Sequence, residues 1–236
     1  MRGANEVRMA VRRFQVYGQR CSGTNALIKL IEKHFGALQF TEEFGFKHWL
    51  VPEDVRIPSD VIVLVIAREV GQWLRSLHKN PWHAHPELKA VDFSAFIRAE
   101  WRSIWDEDFW GMDAGHPLFG KPIAEEMCPR TRKPFPNALA MRTAKLANWL
   151  DLAQSAENSL IVSHDVLVNN ASRLIDMFEE KSGCRRSRPF EPLTTYKGQG
   201  ESSFKPKRYA DMNEADSRFV ASNTDPLIEN LFLRVG

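Results

Sequence analysis

The chain has 236 residues, of which 43% are hydrophobic and 26% are charged. This length suits one globular domain with a sizeable core. The formal net charge is only +2, whereas a dedicated nucleic-acid-binding protein usually carries a strong basic field. We therefore expect no nucleic-acid partner, and any site for an anion must be local.

Composition also bears on the compartment. The N-terminal stretch MRGANEVRMAVRRF lacks the apolar core of a signal peptide, and no later segment approaches the roughly 18 apolar residues of a membrane span. The cysteines, Cys21, Cys128 and Cys184, are too few and too scattered for a disulfide framework or a structural zinc site. We expect a cytoplasmic protein without a membrane span; its oligomeric state stays open.

A strand, a tight turn and a helix are predicted near the N-terminus. Residues 12–18 (RRFQVYG) alternate apolar and polar side chains and end in a glycine, which is typical of a short strand. From Thr24 onward the period changes, and Leu27, Leu30 and Ile31 share one face of a helix.

Two more strand-to-helix units follow. Residues 60–68 (DVIVLVIAR) are typical of a strand buried on both faces, and 70–79 (VGQWLRSLHK) of a helix. Residues 159–165 are strand-like, and 169–183 form an amphipathic helix stopped by Gly183. Repeated units of this kind predict an α/β fold with a parallel sheet flanked by helices, whose ligands bind at the carboxyl ends of the strands.

The stretch from about 79 to 136 is less regular and is interpreted as a helical or irregular insertion within a single domain, 1–236. Its tryptophan-rich part, 93–110 (FSAFIRAEWRSIWDEDFW), is predicted to be helical. Its aromatic residues are expected to lie in the core or to line a pocket for a ligand. A helix over 137–155 then returns the chain to the sheet, and Asp225-Pro226 predicts the start of a last helix.

The turn before the first helix is a candidate anion site. A glycine-bearing turn between a strand and a helix directs backbone N–H groups to one point, where the helix dipole adds positive charge. Ser22, Thr24 and Asn25 add side-chain donors, and Arg20 adds a full charge. The alternative is an ordinary turn with a helix cap.

The turn differs from the loop that binds nucleoside triphosphates. Gly18 and Gly23 have the spacing of that loop, but Thr24 replaces its lysine and Asn25 replaces its magnesium-binding hydroxyl. ATP or GTP hydrolysis is therefore disfavoured, and a smaller phosphate ester is favoured.

A second candidate anion site follows the next strand. Arg68 comes directly after the buried run, and Ser76 lies eight residues later on the following helix. These two side chains can close on one further phosphate. Taken alone, Arg68 is equally compatible with a surface arginine at the end of a strand.

Together these motifs resemble the sulfotransferases that use 3′-phosphoadenosine 5′-phosphosulfate (PAPS). Residues 22–25 (SGTN) resemble the 5′-phosphosulfate loop of that family, and Arg68 with Ser76 resembles its 3′-phosphate motif. Lys197 and Gly198 are similar to the late nucleotide clamp. The resemblance spans about 12–205, and it implies a P-loop-like fold, PAPS as co-substrate, no required metal, and a small-molecule or saccharide acceptor.

One position departs from the family pattern. Many members carry a lysine or arginine immediately before S-G-T, where it contacts the bridging oxygen and the 5′-phosphate, but here that position is Cys21. The nearest cation is Arg20, one residue earlier. The resemblance implies cofactor contacts for every residue of the turn, namely Arg20, Cys21, Ser22, Gly23, Thr24 and Asn25. It leaves open whether Arg20 takes the role of the displaced basic residue.

The resemblance also implies where the catalytic base lies. Sulfuryl transfer needs positioning, charge stabilisation and a base for the acceptor hydroxyl or amine. Lys47 and His48 lie between the two nucleotide motifs, with His48 as the expected base and Lys47 stabilising the bridging oxygen. Glu42 and Glu43 are alternative bases.

His83 and His85 have the i, i+2 spacing of two metal ligands, but no third candidate is evident in sequence, so we expect them to border the acceptor pocket. The sequence thus predicts a PAPS-dependent sulfotransferase. Two alternatives stay open: a P-loop nucleotide or nucleoside kinase-like enzyme, and a nucleotide-binding protein that has lost catalysis.

Overall fold

The structure, a computed structural model, describes residues 10–195, 198, 202–203 and 205–233. Within them one parallel sheet has the strand order β2-β1-β3-β4. The predicted α/β fold, a parallel sheet flanked by helices, is confirmed. The strands are β1 (Arg13–Gly18), β2 (Gln39–Phe40), β3 (Val61–Ala67) and β4 (Asn158–Ser163).

The helices follow the predicted pattern where periodicity was strong. Four of them lie where the sequence predicts helices, within one or two residues at each end, and α9 follows Asp225, whose carboxylate accepts the Leu227 N–H at 2.8 Å. The described helices are α1 (Thr24–His34), α2 (Val70–Lys79), α3 (Pro86–Lys89), α4 (Phe93–Arg98), α5 (Ala138–Ser155), α6 (His164–Asn169), α7 (Ala171–Ser182), α8 (Glu214–Asn223) and α9 (Pro226–Leu233).

Strand β3 lies at the centre of two hydrophobic layers. Ile62, Leu64 and Ile66 pack with α1 and α7 on one face of the sheet. Val63 and Val65 pack with α5 and α9 on the other. Because both faces are covered, the strand has no polar side, which explains its continuous apolar run.

The predicted helix over 93–110 is wrong beyond Arg98. Trp101 donates its backbone N–H to the Phe135 carbonyl, and Ile104 donates to the His83 carbonyl, both at 2.8 Å. Isolated antiparallel bridges thus replace helical hydrogen bonds in this stretch. Trp101 is buried, but Trp110 is fully exposed and is not a core residue.

The irregular stretch packs on α2 and α5 through a separate hydrophobic cluster. Trp73 and Leu77 of α2 contact this cluster, together with Leu139 of α5 and Phe96 and Trp101 of the insertion. A short 3₁₀ turn, Ala124–Glu126, brings Glu126 into the interior. The insertion therefore lies beside the elements that follow β3.

The strand order places a crevice between β1 and β3. The chain leaves β1 toward β2 on one side and leaves β3 toward β4 on the other. The carboxyl ends of β1 and β3 therefore flank the point where the topology reverses, which is where parallel sheets bind ligands. Within the described ranges, no helix combines the length and apolar character needed to cross a bilayer.

Candidate functional site

The turn after β1 has a backbone that only small residues permit. A Cβ at Gly18 would lie 2.6 Å from the Ile66 carbonyl oxygen, so glycine lets β1 end directly against β3. Gly23, the N-cap of α1, has a φ of +89°, and no side chain caps the helix. The first N–H groups of α1 therefore have no capping side chain and are available to a ligand.

Two side chains of this turn are buried with unsatisfied polar atoms. The hydroxyl of Ser22 is fully buried and has no hydrogen-bond partner among the described residues. Arg20 is 6% exposed, and its Nη1 donates to both oxygens of Glu126 at 2.7 Å. Its Nε and Nη2 have no partner there. Unpaired buried donors are costly, and an acceptor-rich ligand beside the uncapped start of α1 would satisfy them.

Glu126 joins two cations in the interior. Lys145 of α5 is 1% exposed, and its Nζ lies 2.5 Å from a Glu126 oxygen. Burial alone would raise the pKa of Glu126, but Arg20 and Lys145 hold it well below its usual value. Burial lowers the pKa of Lys145 to about 8. With two cations and one carboxylate, this cluster has a net positive charge that an anion would compensate.

The turn is anchored by neighbouring elements. The Trp73 indole donates to the Arg20 carbonyl at 2.9 Å, and the Gln19 amide donates to the Arg142 carbonyl at 3.3 Å. Arg142 in turn donates to the Arg68 carbonyl at 2.8 Å and pairs with Glu229 at 2.7 Å. Arg142, which is buried on α5, thus connects the ends of β1 and β3 to α5 and α9.

Cys21 and Ser76 lie next to each other. Cys21 has a left-handed φ of +67°, and its Sγ lies 3.7 Å from the carbonyl oxygens of Ser76 on α2 and of Asn80, which caps the C-terminus of that helix. The Cys21 side chain is therefore directed to α2, whereas Arg20 reaches Glu126. The structure brings the first motif and Ser76 together.

Arg68 lies at the end of β3 under a chain segment that we call the strap, residues 205–212. Its Nη2 donates to the Lys207 carbonyl at 3.1 Å, and its guanidinium lies 5.6 Å from the centre of the Tyr209 ring. Gln72 bonds both the N–H and the carbonyl of Tyr209, at 2.7 and 3.0 Å. Arg75 donates to the Asp211 carbonyl at 3.2 Å. The strap is thus held mainly through its backbone.

The end of β4 reaches the same crevice. A Cβ at Gly23 would lie 3.0 Å from the His164 ring, which immediately follows β4. Burial, and then the nearby Arg68, lower the pKa of His164 to about 4. The sequence analysis missed this histidine because we interpreted residues 159–165 as strand alone.

His48 is fixed at the base of the turn. Its Nδ1 lies 2.6 Å from the Gly18 carbonyl oxygen, which only accepts, so Nδ1 carries the hydrogen and Nε2 is free to accept. Burial, then Arg20, and further Lys47 and Lys145, hold its pKa well below the usual value. His48 is therefore neutral at pH 7.

The other candidate bases are engaged elsewhere. Lys47 pairs with Glu42 at 3.2 Å, and Glu43 pairs with Arg13 at 2.5 Å.

At the first turn of α1, Thr24 is buried and Asn25 is half-buried. Gly198 lies against Lys29 of α1, so close that a Cβ there would be 2.8 Å from the Lys29 Cβ. Lys197 lies outside the described residues.

His83 and His85 have different partners. The Nδ1 of His83 lies 2.6 Å from Asp106, while the Nδ1 of His85 accepts the Glu87 N–H at 3.4 Å. Ligand atoms of His83, Asp106 and Asp108 lie within 4.8 Å of one another. However, the Lys89 ammonium lies 3.3 Å from the second oxygen of Asp106, and we assign no metal there.

The sequence reasoning missed Glu126, Lys145 and Asp106. Lys145 alone left a signal, because it falls three residues after Arg142 on the buried face of α5, where cations interrupt an otherwise apolar stripe. The other two reach the site through contacts between distant parts of the insertion.

Comparisons of the chain with models of protein families, with curated proteins and with solved structures found no match.

Proposed function

We propose that the chain is a PAPS-dependent sulfotransferase, which moves a sulfuryl group from PAPS to a hydroxyl or amine of an acceptor. The observation that carries the proposal is a set of three buried donor atoms, Ser22 Oγ and Arg20 Nε and Nη2, which have no hydrogen-bond partner among the described residues and lie beside the uncapped start of α1. A phosphosulfate group supplies the acceptor oxygens and the negative charge that this location lacks.

The geometry supports a division of roles around the crevice. The N–H groups at the start of α1, with Ser22 and Thr24, bind the 5′-phosphosulfate. Arg20 keeps one nitrogen on Glu126 and offers Nε and Nη2 to the group, as the displaced basic residue would. Arg68 and Ser76 bind the 3′-phosphate. To do so, Arg68 gives up its hydrogen bond to the Lys207 carbonyl and donates to the phosphate instead.

Catalysis then requires stabilisation of charge on the leaving phosphate. Arg20 and Lys145 face that position from a buried cluster, where electrostatic interactions are stronger than in water. Lys47, Cys21 and Asn25 complete the surroundings of the group. We also propose a reducing, cytoplasmic compartment, because the cysteines at positions 21, 128 and 184 are too few and too scattered for a disulfide framework.

Turnover tests the proposal directly. We expect the purified protein to release adenosine 3′,5′-bisphosphate from PAPS when hydroxyl and amine acceptors are supplied, as measured by chromatography. Binding of the bisphosphate without release across the acceptor panel would instead favour a protein that has lost catalysis. Magnesium-dependent consumption of ATP would favour the kinase-like alternative.

A further inference from the structure

His164 lies in the crevice but has no role in the site proposed above. A Cβ at Gly23 would lie 3.0 Å from its Cδ2 and 3.7 Å from its Nε2, so the imidazole packs against the start of α1. On the other side, β3 and β4 pair Ala67 with Ser163, and the next residues along these parallel strands are Arg68 and His164. His164 therefore borders both candidate anion sites.

The fold holds this imidazole in place. His164 is the first residue of α6, which the Ser163 hydroxyl caps by accepting the Asp165 N–H at 3.1 Å. The Leu167 side chain packs at the same point as the ring, since its Cδ2 would lie 3.1 Å from a Cβ at Gly23. A ring that is already positioned loses little side-chain entropy when a ligand binds to it.

The ring has hydrogen-bonding capacity to spare. Within the described part of the chain, neither of its nitrogens forms a hydrogen bond, and the residue is only half-buried. Burial, and then Arg68, lower the pKa of His164 to about 4, while Asp165 opposes this effect. At pH 7 the imidazole is therefore neutral, with one N–H donor and one acceptor nitrogen. A neutral polar group of a ligand suits it better than a further phosphate.

The chemistry of the proposed donor contains one such group at this place. The ribose connects the 5′- and 3′-phosphates, so it must lie between the two anion sites that His164 borders. Its 5′ and 3′ oxygens carry the phosphates, whereas its 2′-hydroxyl is free and can both donate and accept. This hydroxyl is on the carbon next to the 3′-phosphate, which places it beside the ligand of Arg68 and Ser76.

We propose that His164 binds the ribose 2′-hydroxyl of the donor and makes the site selective for ribonucleotides over 2′-deoxyribonucleotides. The inference rests on the proposed function, because it needs a nucleotide that both anion sites hold. The hydroxyl donates to a ring nitrogen with a lone pair or accepts from one with a hydrogen, so either tautomer of His164 serves.

Calorimetry with two nucleotides tests this role. The probes are adenosine 3′,5′-bisphosphate and 2′-deoxyadenosine 3′,5′-bisphosphate, which differ in the one hydroxyl. We expect wild type to bind the deoxynucleotide about fivefold more weakly, the effect of one hydrogen bond. His164→Phe keeps a ring but removes both nitrogens, so it should bind the two nucleotides equally, with the deoxynucleotide affinity close to that of wild type.

Two further variants separate this role from a structural one. His164→Leu removes the nitrogens with a smaller side chain and should also abolish the preference. His78→Phe is the matched control, because it makes the same change at a half-buried histidine in the last turn of α2, where Nε2 lies 3.0 Å from the Val91 carbonyl oxygen. The wild-type ratio of affinities should persist in His78→Phe.

The other outcomes contradict the inference at different levels. Equal affinity of wild type for the two nucleotides would overturn the role of His164 and leave the donor site standing. A preference that persists in both His164 variants would assign the 2′-hydroxyl to another group, and a preference lost in His78→Phe as well would make the effect nonspecific. Failure of wild type to bind either nucleotide would overturn the proposed function itself.

Discussion

At the scale of single residues, the buried donors decide what the crevice holds. Within the part of the chain that the structure describes, the buried Ser22 hydroxyl and two nitrogens of Arg20 have no hydrogen-bond partner. In the ligand-free protein such unsatisfied donors lower the free energy of unfolding. This loss is reversed only when a bound ligand accepts their hydrogen bonds. Stability and binding should therefore respond to mutation in opposite directions.

Ser22→Ala tests this opposition. We expect the free energy of unfolding of the ligand-free variant to stay equal or rise by about 1 kcal/mol, because an unsatisfied hydroxyl is removed. Affinity for adenosine 3′,5′-bisphosphate should fall by about 0.5–1.5 kcal/mol. Ser182→Ala is the matched control, since its hydroxyl donates to the Phe178 carbonyl at 2.7 Å and its loss should only destabilise. Loss of stability without loss of affinity in Ser22→Ala would contradict the assignment.

Glu126→Gln tests the charge balance. The change leaves Arg20 and Lys145 buried without their carboxylate, which should cost about 3–5 kcal/mol of unfolding free energy in denaturant titrations. Added bisphosphate should restore part of that loss. Glu43→Gln, which breaks the partly exposed pair with Arg13, should cost under about 1 kcal/mol. A comparable, small loss in both variants would show that the Glu126 cluster is not a buried charge site.

Lys145 gives the site a pH dependence. Its pKa is about 8 against a usual 10.5, so from pH 8 to 10.5 the unfolded chain binds more protons at this group and its contribution to stability rises with pH. A bound anion favours the charged lysine, so affinity for the bisphosphate should fall as pH rises through about 8, by at most about tenfold per unit. Calorimetry between pH 7 and 9.5 should show this slope in wild type and Cys21→Ser, and its loss in Lys145→Met.

At the scale of elements, the strap is held by α2 and by the residue that follows β3. Arg68, which precedes α2, and Gln72 and Arg75 on α2 bind every second backbone carbonyl of the strap, from position 207 to 211. Arg68 can exchange its hydrogen bond with the Lys207 carbonyl for one with a phosphate. The strap then stays in place, because Gln72 and Arg75 still bind its backbone.

Arg68→Ala and Arg75→Ala separate ligand binding from strap docking. Arg68→Ala should weaken binding of the bisphosphate by about 1.5–3 kcal/mol, the range for hydrogen bonds to charged groups. Arg75→Ala removes a comparable strap contact and should leave affinity nearly unchanged. Equal losses in the two variants, measured by calorimetry, would mean that Arg68 acts only by holding the strap.

The elements show how far sequence patterns extend. The periodicity of 24–34, 70–79 and 138–155 predicted their helices because apolar burial and helical spacing agree there. The pattern failed over 93–110, where backbone pairing with distant residues replaced local hydrogen bonds. The short strand β2, with two residues, and helices α6 and α8 carried too weak a pattern to be predicted.

The site was predictable to the extent that it is local. Ser22, Arg68 and Ser76 were predicted as candidate site residues because strand ends and helical spacing are visible in the sequence. The partner of Arg20 was not, since Glu126 is 106 residues away in the chain. The pairing of His83 with Asp106 also depends on the irregular path of the insertion, for which no periodic signal exists.

At the scale of the whole molecule, the strand order β2-β1-β3-β4 puts both candidate anion sites at one switch point. Buried Arg142 ties the ends of β1 and β3 together, and the insertion adds Glu126 and the His83–Asp106 pair. The sheet thus supplies the candidate donor site, while the insertion supplies the candidate acceptor side. This division explains why the two parts of the site differ in how well sequence predicts them.

Calorimetry with adenosine 3′,5′-bisphosphate, ATP plus magnesium, and AMP tests the central claim most directly. Selective binding of the bisphosphate, with a thermal stabilisation that corresponds to about 2.7 kcal/mol at 100 times its Kd, is the expected result. Binding of ATP with magnesium but not of the bisphosphate, or binding of none of the three nucleotides, would contradict the account.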